Sequence, residues 1–448
     1  MKPGSCIAVR ISAVLCICIS MSCQAQQESP YRLTLHDATQ KALQANLNAL
    51  LAQSRIDEAE GARQRSMSAA FLPRVNAEAY ANFQNRNLRA LGLSAPGLPI
   101  PGVVGPLSNY DARIYAQQNV LDLSTYRMFK ASESALESSK LDEHDARDII
   151  VRTTAALYLS AQAADSRVNS AQARVNDSST LLKLATDKHD AGTATGVDVL
   201  RAQVQLANDQ QALLVAQNDL KQALLTLARD MGMSPGTRLE LAEPLQYRAL
   251  EQSGPDVLLP TALQTRADYL SLAKQRETLL EQQRANRARY YPKVSVNGNI
   301  GGLGRSVGSM TTTGVIQGQV DFTVFDRDRE GEATQLAGRI KRIEAQISDL
   351  QRGVDLEIRQ ALLDLDSAAQ QVNVAGQGQE LARRELALSQ DRFQTGTANN
   401  IEVVTAQDAL ARAEENYIVA VTRHVDAKCA LARALGDTER NIQQFLGN

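Results

Sequence analysis

Tryptophan is absent, and aromatic residues make up only 4% of the 448 residues. A core built on large rings is therefore excluded. Packing must rest on small and aliphatic side chains, a usage that suits long helices and coiled coils. Charge of one sign is lacking too. The net charge is −2, with acids and bases interspersed, so there is no basic stripe to hold nucleic acid and no acidic tail. Cysteine is scarce: Cys6, Cys16, Cys18 and Cys23 fall in the first two dozen residues, leaving Cys429 alone beyond them. One thiol cannot form an internal disulfide, so packing must hold the fold. After residue 25 no apolar run reaches eighteen residues, which excludes a membrane-spanning helix. His36, His144, His189 and His424 are scattered without ligand spacing. His424 reads as a packed or polar-paired core residue and Cys429 as an inert buried thiol. No nucleophile–base pair and no metal-ligand cluster is legible, so neither an enzyme nor a cofactor is expected.

What is present begins with a targeting segment. Lys2 and Arg10 flank an apolar stretch, ISAVLCICISM, from Ile11 to Met21. That length fits a secretory signal and not a membrane span. Residues 1–25 are read as a signal peptide cleaved after Ala25. Lipidation at Cys23 is the alternative, although Ser20 stands where a bacterial lipobox usually has Leu.

Beyond it, one phrase occurs twice. GTATGVDVLRAQ starts at Gly192 and GTANNIEVVTAQ at Gly396, a shift of 204. From Asp187 to Ala207 against Asp391 to Ala411, nine of twenty-one positions are identical. FLPRV, with Pro73, pairs with YYPKV, with Pro292, at a shift of 219. The difference of fifteen residues falls between Pro73 and Val120, because Val120–Asp122 and Val324–Asp326 already align at 204. This is a long tandem duplication. Its units are residues 26–235 and 256–448, joined by a linker at 236–255.

Each unit predicts a helix, a strand pair and a long helical hairpin. Residues 33–71 and 256–290 read as helices that stop at Pro73 and Pro292, the helix-to-strand junctions. Val294, Val296 and Gly298 alternate with Lys293, Ser295 and Asn297, and a second alternation runs over 314–324, together an amphipathic hairpin. Weaker strands fall at 73–86 and 109–122. Residues 127–189 and 328–393 contain no proline. At 1.5 Å per residue each helix is about 95–100 Å long. Leu336, Ile340, Ile343, Ile347, Leu350, Val354, Ile358, Ala361 and Leu365 follow a heptad pattern with one stutter. Gly192 and Gly396 then end these helices in left-handed caps, and Thr193 and Thr397 are expected to cap the outgoing helices. Asp198 and Glu402 sit in the first turn of those helices, where acids favour the dipole. Stripes Val199, Leu206, Leu213, Leu220, Leu227 and Val403, Leu410, Tyr417, His424, Leu431 continue them.

All four strands reach the roughly nine to eleven residues that a membrane strand needs. Four cannot close a barrel, and an open edge in lipid leaves backbone groups unpaired. Closure demands several chains. Phe71, Tyr290, Tyr291, Phe322 and Phe325, near strand ends, suit a membrane-interface belt.

In this order of helix, hairpin and helices, with Pro73, Pro292 and the G-x-x-x-x-x-[DE]-V turns followed by Ala-Gln, the chain resembles the TolC family of outer-membrane efflux proteins over nearly all of its mature length. The resemblance implies a mainly α fold with β: a coiled-coil α-barrel continuous with a twelve-stranded transmembrane β-barrel in a homotrimer. It implies an outer-membrane duct with its helical part in the periplasm, a periplasmic adaptor and an inner-membrane transporter as partners, and outer-membrane lipid around the strands. The periplasmic tip and adaptor-docking residues would be Gly192, Thr193, Gly396 and Thr397, with Asp198 and Glu402 as channel-mouth acids. The connection Leu88–Ser108 would face outside the cell. Departures are Asn46-Leu47 where the family usually has Asn-Pro, Ala267 within Arg-Pro-Asp, Thr405 for a second mouth acid, and Ala398 for a turn Arg. The rival readings are an exported structural coiled coil, and a periplasmic adaptor, which would carry one hairpin rather than two.

Overall fold

A computed structural model of the chain describes residues 31–90, 92, 101–251 and 253–446. The expected signal peptide and Cys23 lie outside these residues. Strand β1 (Tyr31–Leu33) leads into α1 (Leu35–Ala45) and α2 (Leu47–Phe71). A hairpin of β2 (Arg74–Asn87) and β3 (Val103–Leu121) comes next, then α3 (Leu123–Asp190) and α4 (Gly196–Asp230). After β4 (Leu239–Leu241) come α5 (Pro255–Thr265), α6 (Ala267–Ala288), β5 (Lys293–Gly304) and β6 (Thr311–Asp321). The chain closes with α7 (Asp328–Gln394), α8 (Asn400–Leu435) and α9 (Thr438–Leu446).

The expected single helices over 33–71 and 256–290 are each two. At Asn46 ψ swings to 132° and at Arg266 to 117°, extended values that end one helix and start the next. Proline is at neither break. Asn46 does both jobs: its N–H closes α1 onto the Ala42 carbonyl (2.8 Å), and its side-chain oxygen accepts from Asn48 N–H (2.9 Å) to open α2. Its amide also donates to Asp230 (3.1 Å) at the end of α4. Arg266 is 2% exposed. It forks onto Asp268 (2.6 and 3.1 Å) and reaches Glu357 of α7 (2.5 Å). Burial pushes the Asp268 carboxyl up, but the Arg266 guanidinium outweighs it and holds the group below its ordinary range.

The helices α3 and α7, of 68 and 67 residues, each span about 100 Å. The predicted stripe on α7 is the packed one: seven of its nine residues are buried, and Ile347 and Leu350, leading into the stutter, are half-buried. Core residues fall into separate groups. One gathers Leu33, Ile150, Tyr158, Leu227, Val421 and Leu431 where β1 and β4 pair in parallel beside the helices. Another holds Leu181, Ala202, Leu386, Phe393, Val403 and Leu410 near the far bends. His424 is 1% exposed and packs edge-on to Tyr247 at 4.7 Å. Cys429 is fully buried, and burial pushes its thiol up to about 12.

The larger sheet has the order β2-β3-β5-β6, antiparallel throughout. Its register puts Ala77, Ile114, Ile300 and Gly314 in one cross-strand row, and Val75, Ala116, Gly298 and Ile316 in the next. The opposite face carries Glu78 and Arg113, Tyr80 and Asp111, and the row Arg74, Gln117, Asn297, Gln317. Strand boundaries depart from expectation by several residues. Strand β3 begins at Val103 rather than 109. Strand β6 runs over 311–321, so Phe322 and Val324 lie beyond it. Residue 91 and residues 93–100 of the β2–β3 connection fall outside the described residues.

Candidate functional site

Each long hairpin turns by the same device. Gly192 and Gly396 have φ of +75° and +80°, the left-handed conformation that side chains with a Cβ resist. The next two N–H groups fold back onto one carbonyl: Thr193 and Ala194 onto Lys188 (2.8 and 3.1 Å), Thr397 and Ala398 onto Arg392 (2.9 and 3.1 Å). These bonds satisfy carbonyls that the ending helix leaves open.

Thr193 and Thr397 are not the N-caps. Their hydroxyls donate backwards, to Lys188 O (3.0 Å) and Arg392 O (3.1 Å), and so finish the incoming helix. The caps of the outgoing helices are Thr195 and Asn399. The Asp198 carboxylate accepts from the Thr195 N–H (3.1 Å) and hydroxyl (2.7 Å). The Asn399 side chain accepts from Glu402 N–H (3.2 Å). In the first copy Thr193 and Thr195 both offer a hydroxyl, and spacing alone does not choose between them.

The two acids differ in their surroundings. The Thr195 hydrogen bonds, aided by Arg201 at 3.6 Å, hold the Asp198 carboxyl below its ordinary range. Glu402 accepts from the Arg392 guanidinium at 2.5 Å across its own hairpin. Each of these two acids therefore has an arginine partner, which offsets much of its negative charge. Sequence reasoning misses Arg392, which stands out only as the counterpart of Lys188. It also misses Asn400, fully buried, whose amide donates to the Asp198 carbonyl (2.8 Å) and ties one bend to the other. The counterpart of Asn400 in the first copy is Gly196, so the tie has no internal repeat to reveal it.

Beside this tie, Val197, Leu200 and Val204 of α4 face Ile401 and Val404 of α8 across an apolar groove of about 430 Å³. Val197, Leu200 and Val204 are more than half exposed. At the other end of the molecule, Pro73 and Pro292 separate α2 from β2 and α6 from β5. Tyr290, Tyr291, Phe71, Phe322 and Phe325 are all exposed around these junctions. Arg329 lies over the Tyr290 ring at 3.2 Å. Among the described residues no helix is long and apolar enough to cross a membrane, and no group of His, Cys, Asp and Glu could hold a metal ion.

An amphipathic sheet with free edges at one end of helices about 100 Å long points to a class: a duct of the outer membrane. Comparison with known proteins agrees. Residues 38–233 and 258–437 match the family described as outer membrane efflux protein, and the chain belongs to that family. It is 24% identical to the pyoverdine export outer membrane protein OpmQ of Pseudomonas aeruginosa over 324 residues, 70% of this chain and 68% of that protein. Among solved structures it resembles VceC of Vibrio cholerae (TM-score 0.75, 20% identity, 90% of this chain and 96% of that one). It also resembles the CmeC channel of Campylobacter jejuni (TM-score 0.74, 16% identity, 99% and 97%). The protein is an efflux duct of the bacterial outer membrane, with its helical part in the periplasm.

Proposed function

We propose that three copies close into one tube. Four strands from each copy form a twelve-stranded barrel, and six helical hairpins form the periplasmic duct. The units 26–235 and 256–448, joined by 236–255, supply two hairpins per copy. The carrying observation is the sheet. It has one apolar face, one polar face and two outer strands, β2 and β6, each paired on one side only. In lipid each unpaired backbone group costs several kcal/mol, and only another copy can supply β2 with a β6. Three copies are favoured over two because an eight-stranded barrel is just filled by its own side chains and leaves no conduit. The helices agree: Leu356, Leu363, Val374, Leu381 and Leu388 form an exposed apolar line along α7 that a neighbouring copy would cover. The half-buried stripe on α4, Val199 to Leu220, is the complementary unfinished face.

The bends lie one long helix away from the strands, so they form the periplasmic tip. There a periplasmic adaptor docks, in turn bound to an inner-membrane transporter. Gly192, Thr193, Gly396 and Thr397 shape the docking surface, and the groove of Val197, Leu200 and Ile401 takes apolar side chains of an adaptor helix. Asp198 and Glu402, with their arginines, line the mouth. The relatives in two Pseudomonas species export pyoverdine, which makes cargo of that kind the first to test. Mass measurement of the purified protein in detergent tests the assembly. The expected mass is three times that of the processed chain, and a stable, monodisperse monomer contradicts the proposal.

A further inference from the structure

The second copy carries two bases where the first has leucines. His424 and Lys428 lie one turn apart on α8, and their counterparts at the 204-residue shift are Leu220 and Leu224. Leu224 packs, half-buried, against the core group beside β1 and β4. Lys428 is deeper still, at 1% exposure. Leucine serves at this level of the fold, so neither helix register nor packing calls for an ammonium there.

A buried charge needs a partner of opposite sign or a full set of hydrogen bonds. Among the described residues Lys428 makes one bond, donating from Nζ to the Phe445 carbonyl of α9 (3.1 Å), which leaves two of its three N–H donors. No carboxylate of the described residues pairs with it. Burial pushes the ammonium below its ordinary range, and Arg248 pushes the same way. The opposing group is the Cys429 thiol, itself pushed up to about 12 and so uncharged near neutrality. Buried His424 leaves Nδ1 without a partner among the described residues, and its neutral ring supplies no negative charge.

Lys428 lines a cavity of about 230 Å³. The linker segment 242–248 forms one side of it, and α3 and α8 form the other. The Gln162 amide pins the linker there, donating to the Glu243 carbonyl (2.8 Å). Arg248, exposed, also lines the cavity. So does Glu243, but its charge acts on Tyr158 and not on Lys428. Two cations and one carboxylate give the lining a net charge of +1. Sites for drug-sized ligands run to roughly 300–1,000 Å³, so the space suits something smaller.

We propose that this cavity binds a compact oxyanion, a single carboxylate or phosphate, held by the remaining N–H groups of Lys428 and by Arg248. The anion supplies the charge that the chain leaves out at Lys428. Through Arg248 it also clips the linker between the two units onto α8. The site is separate from the bends and does not depend on the duct reading.

The experiment titrates sodium phosphate, and separately sodium acetate, into the purified protein in detergent at constant ionic strength, following heat of binding and thermal midpoint. One saturable site per chain is expected, with Kd on the order of 1 mM for a few charge-assisted hydrogen bonds. The midpoint should rise and level off over the same range, by mass action, on top of the steady drift that salts excluded from the surface give any protein. Lys428→Met keeps the length of the side chain and should abolish saturable binding of both anions. Arg248→Gln should weaken it about tenfold while leaving the contact between Lys428 and Phe445 intact. Saturable binding supports the site, and the tighter of the two anions names the oxyanion it takes. A lysine that only caps α9 gives another pattern: Lys428→Met lowers the midpoint, and neither anion binds saturably to the parent protein. That result overturns the site. Parent-like binding by Lys428→Met overturns it too, as does parent-like binding by Arg248→Gln should Lys428→Met fail to fold.

Discussion

At the scale of single residues, the side chains that matter most are those whose surroundings reverse their ordinary behaviour. His424 is shut away at 1% exposure beside Tyr247, and burial, with Lys428 nearby, pushes its pKa from 6.5 down to about 4. The unfolded chain takes up this proton near pH 6.5 and the folded chain only near 4. Its contribution is therefore complete above pH 6.5 and is lost as pH falls toward 4, by roughly 2–3 kcal/mol per chain. His424→Leu should flatten the fall of thermal midpoint between pH 6.5 and 4; identical slopes in the two proteins would contradict this. At the bends, Arg392 and Glu402 form a pair, so the two single substitutions must act with opposite sign. Arg392→Gln frees a carboxylate and should shift the reversal potential toward cation selectivity, and Glu402→Gln frees a guanidinium and should shift it toward anions. A shift in the same direction for both would remove the pair from the mouth.

At the scale of elements, the readable features are those written locally. A glycine followed by threonine, then an acid six residues on, marks each bend because one turn contains all the interacting groups. The stripe Leu336 to Leu365 declares its face by period alone. The breaks at Asn46 and Arg266 escape because no proline marks them. Asn46 caps both helices and meets Asp230, 184 residues away; Arg266 meets Glu357, 91 residues away. Such contacts have no sequence periodicity. Asn400 escapes for the same reason, and Thr195 is hidden by the neighbouring Thr193. Of the weak strands of the first copy, β2 is legible nearly in full, and only β3 is read too short, since the residues of 103–108 look like loop until pairing with β2 orders them. Backbone geometry yields a prediction at the bend. Gly396 has φ of +80° with nothing near its missing Cβ, so Gly396→Val is opposed by backbone strain and not by crowding. That strain is about 1–2 kcal/mol, confined to the bend, and export should fall on the order of tenfold. Trimer yield should be untouched. Normal export by Gly396→Val trimers would reduce the bend to a plain helix turn.

At the scale of the whole molecule, one chain is unfinished at both ends. Its sheet has two outer edges and an apolar face with no internal partner, while its helices carry an exposed apolar line on α7 and a half-covered stripe on α4. In the proposed trimer, closure by further copies would complete the sheet edges and cover the helix faces together, which would couple assembly to membrane insertion. If the closed assembly is a duct, it conducts, and current across a planar bilayer after adding the purified protein is the measurement that decides this. Current should rise in discrete, uniform steps that scale with the number of inserted assemblies. Trimers shown to be inserted, yet passing no current under any voltage, would contradict it.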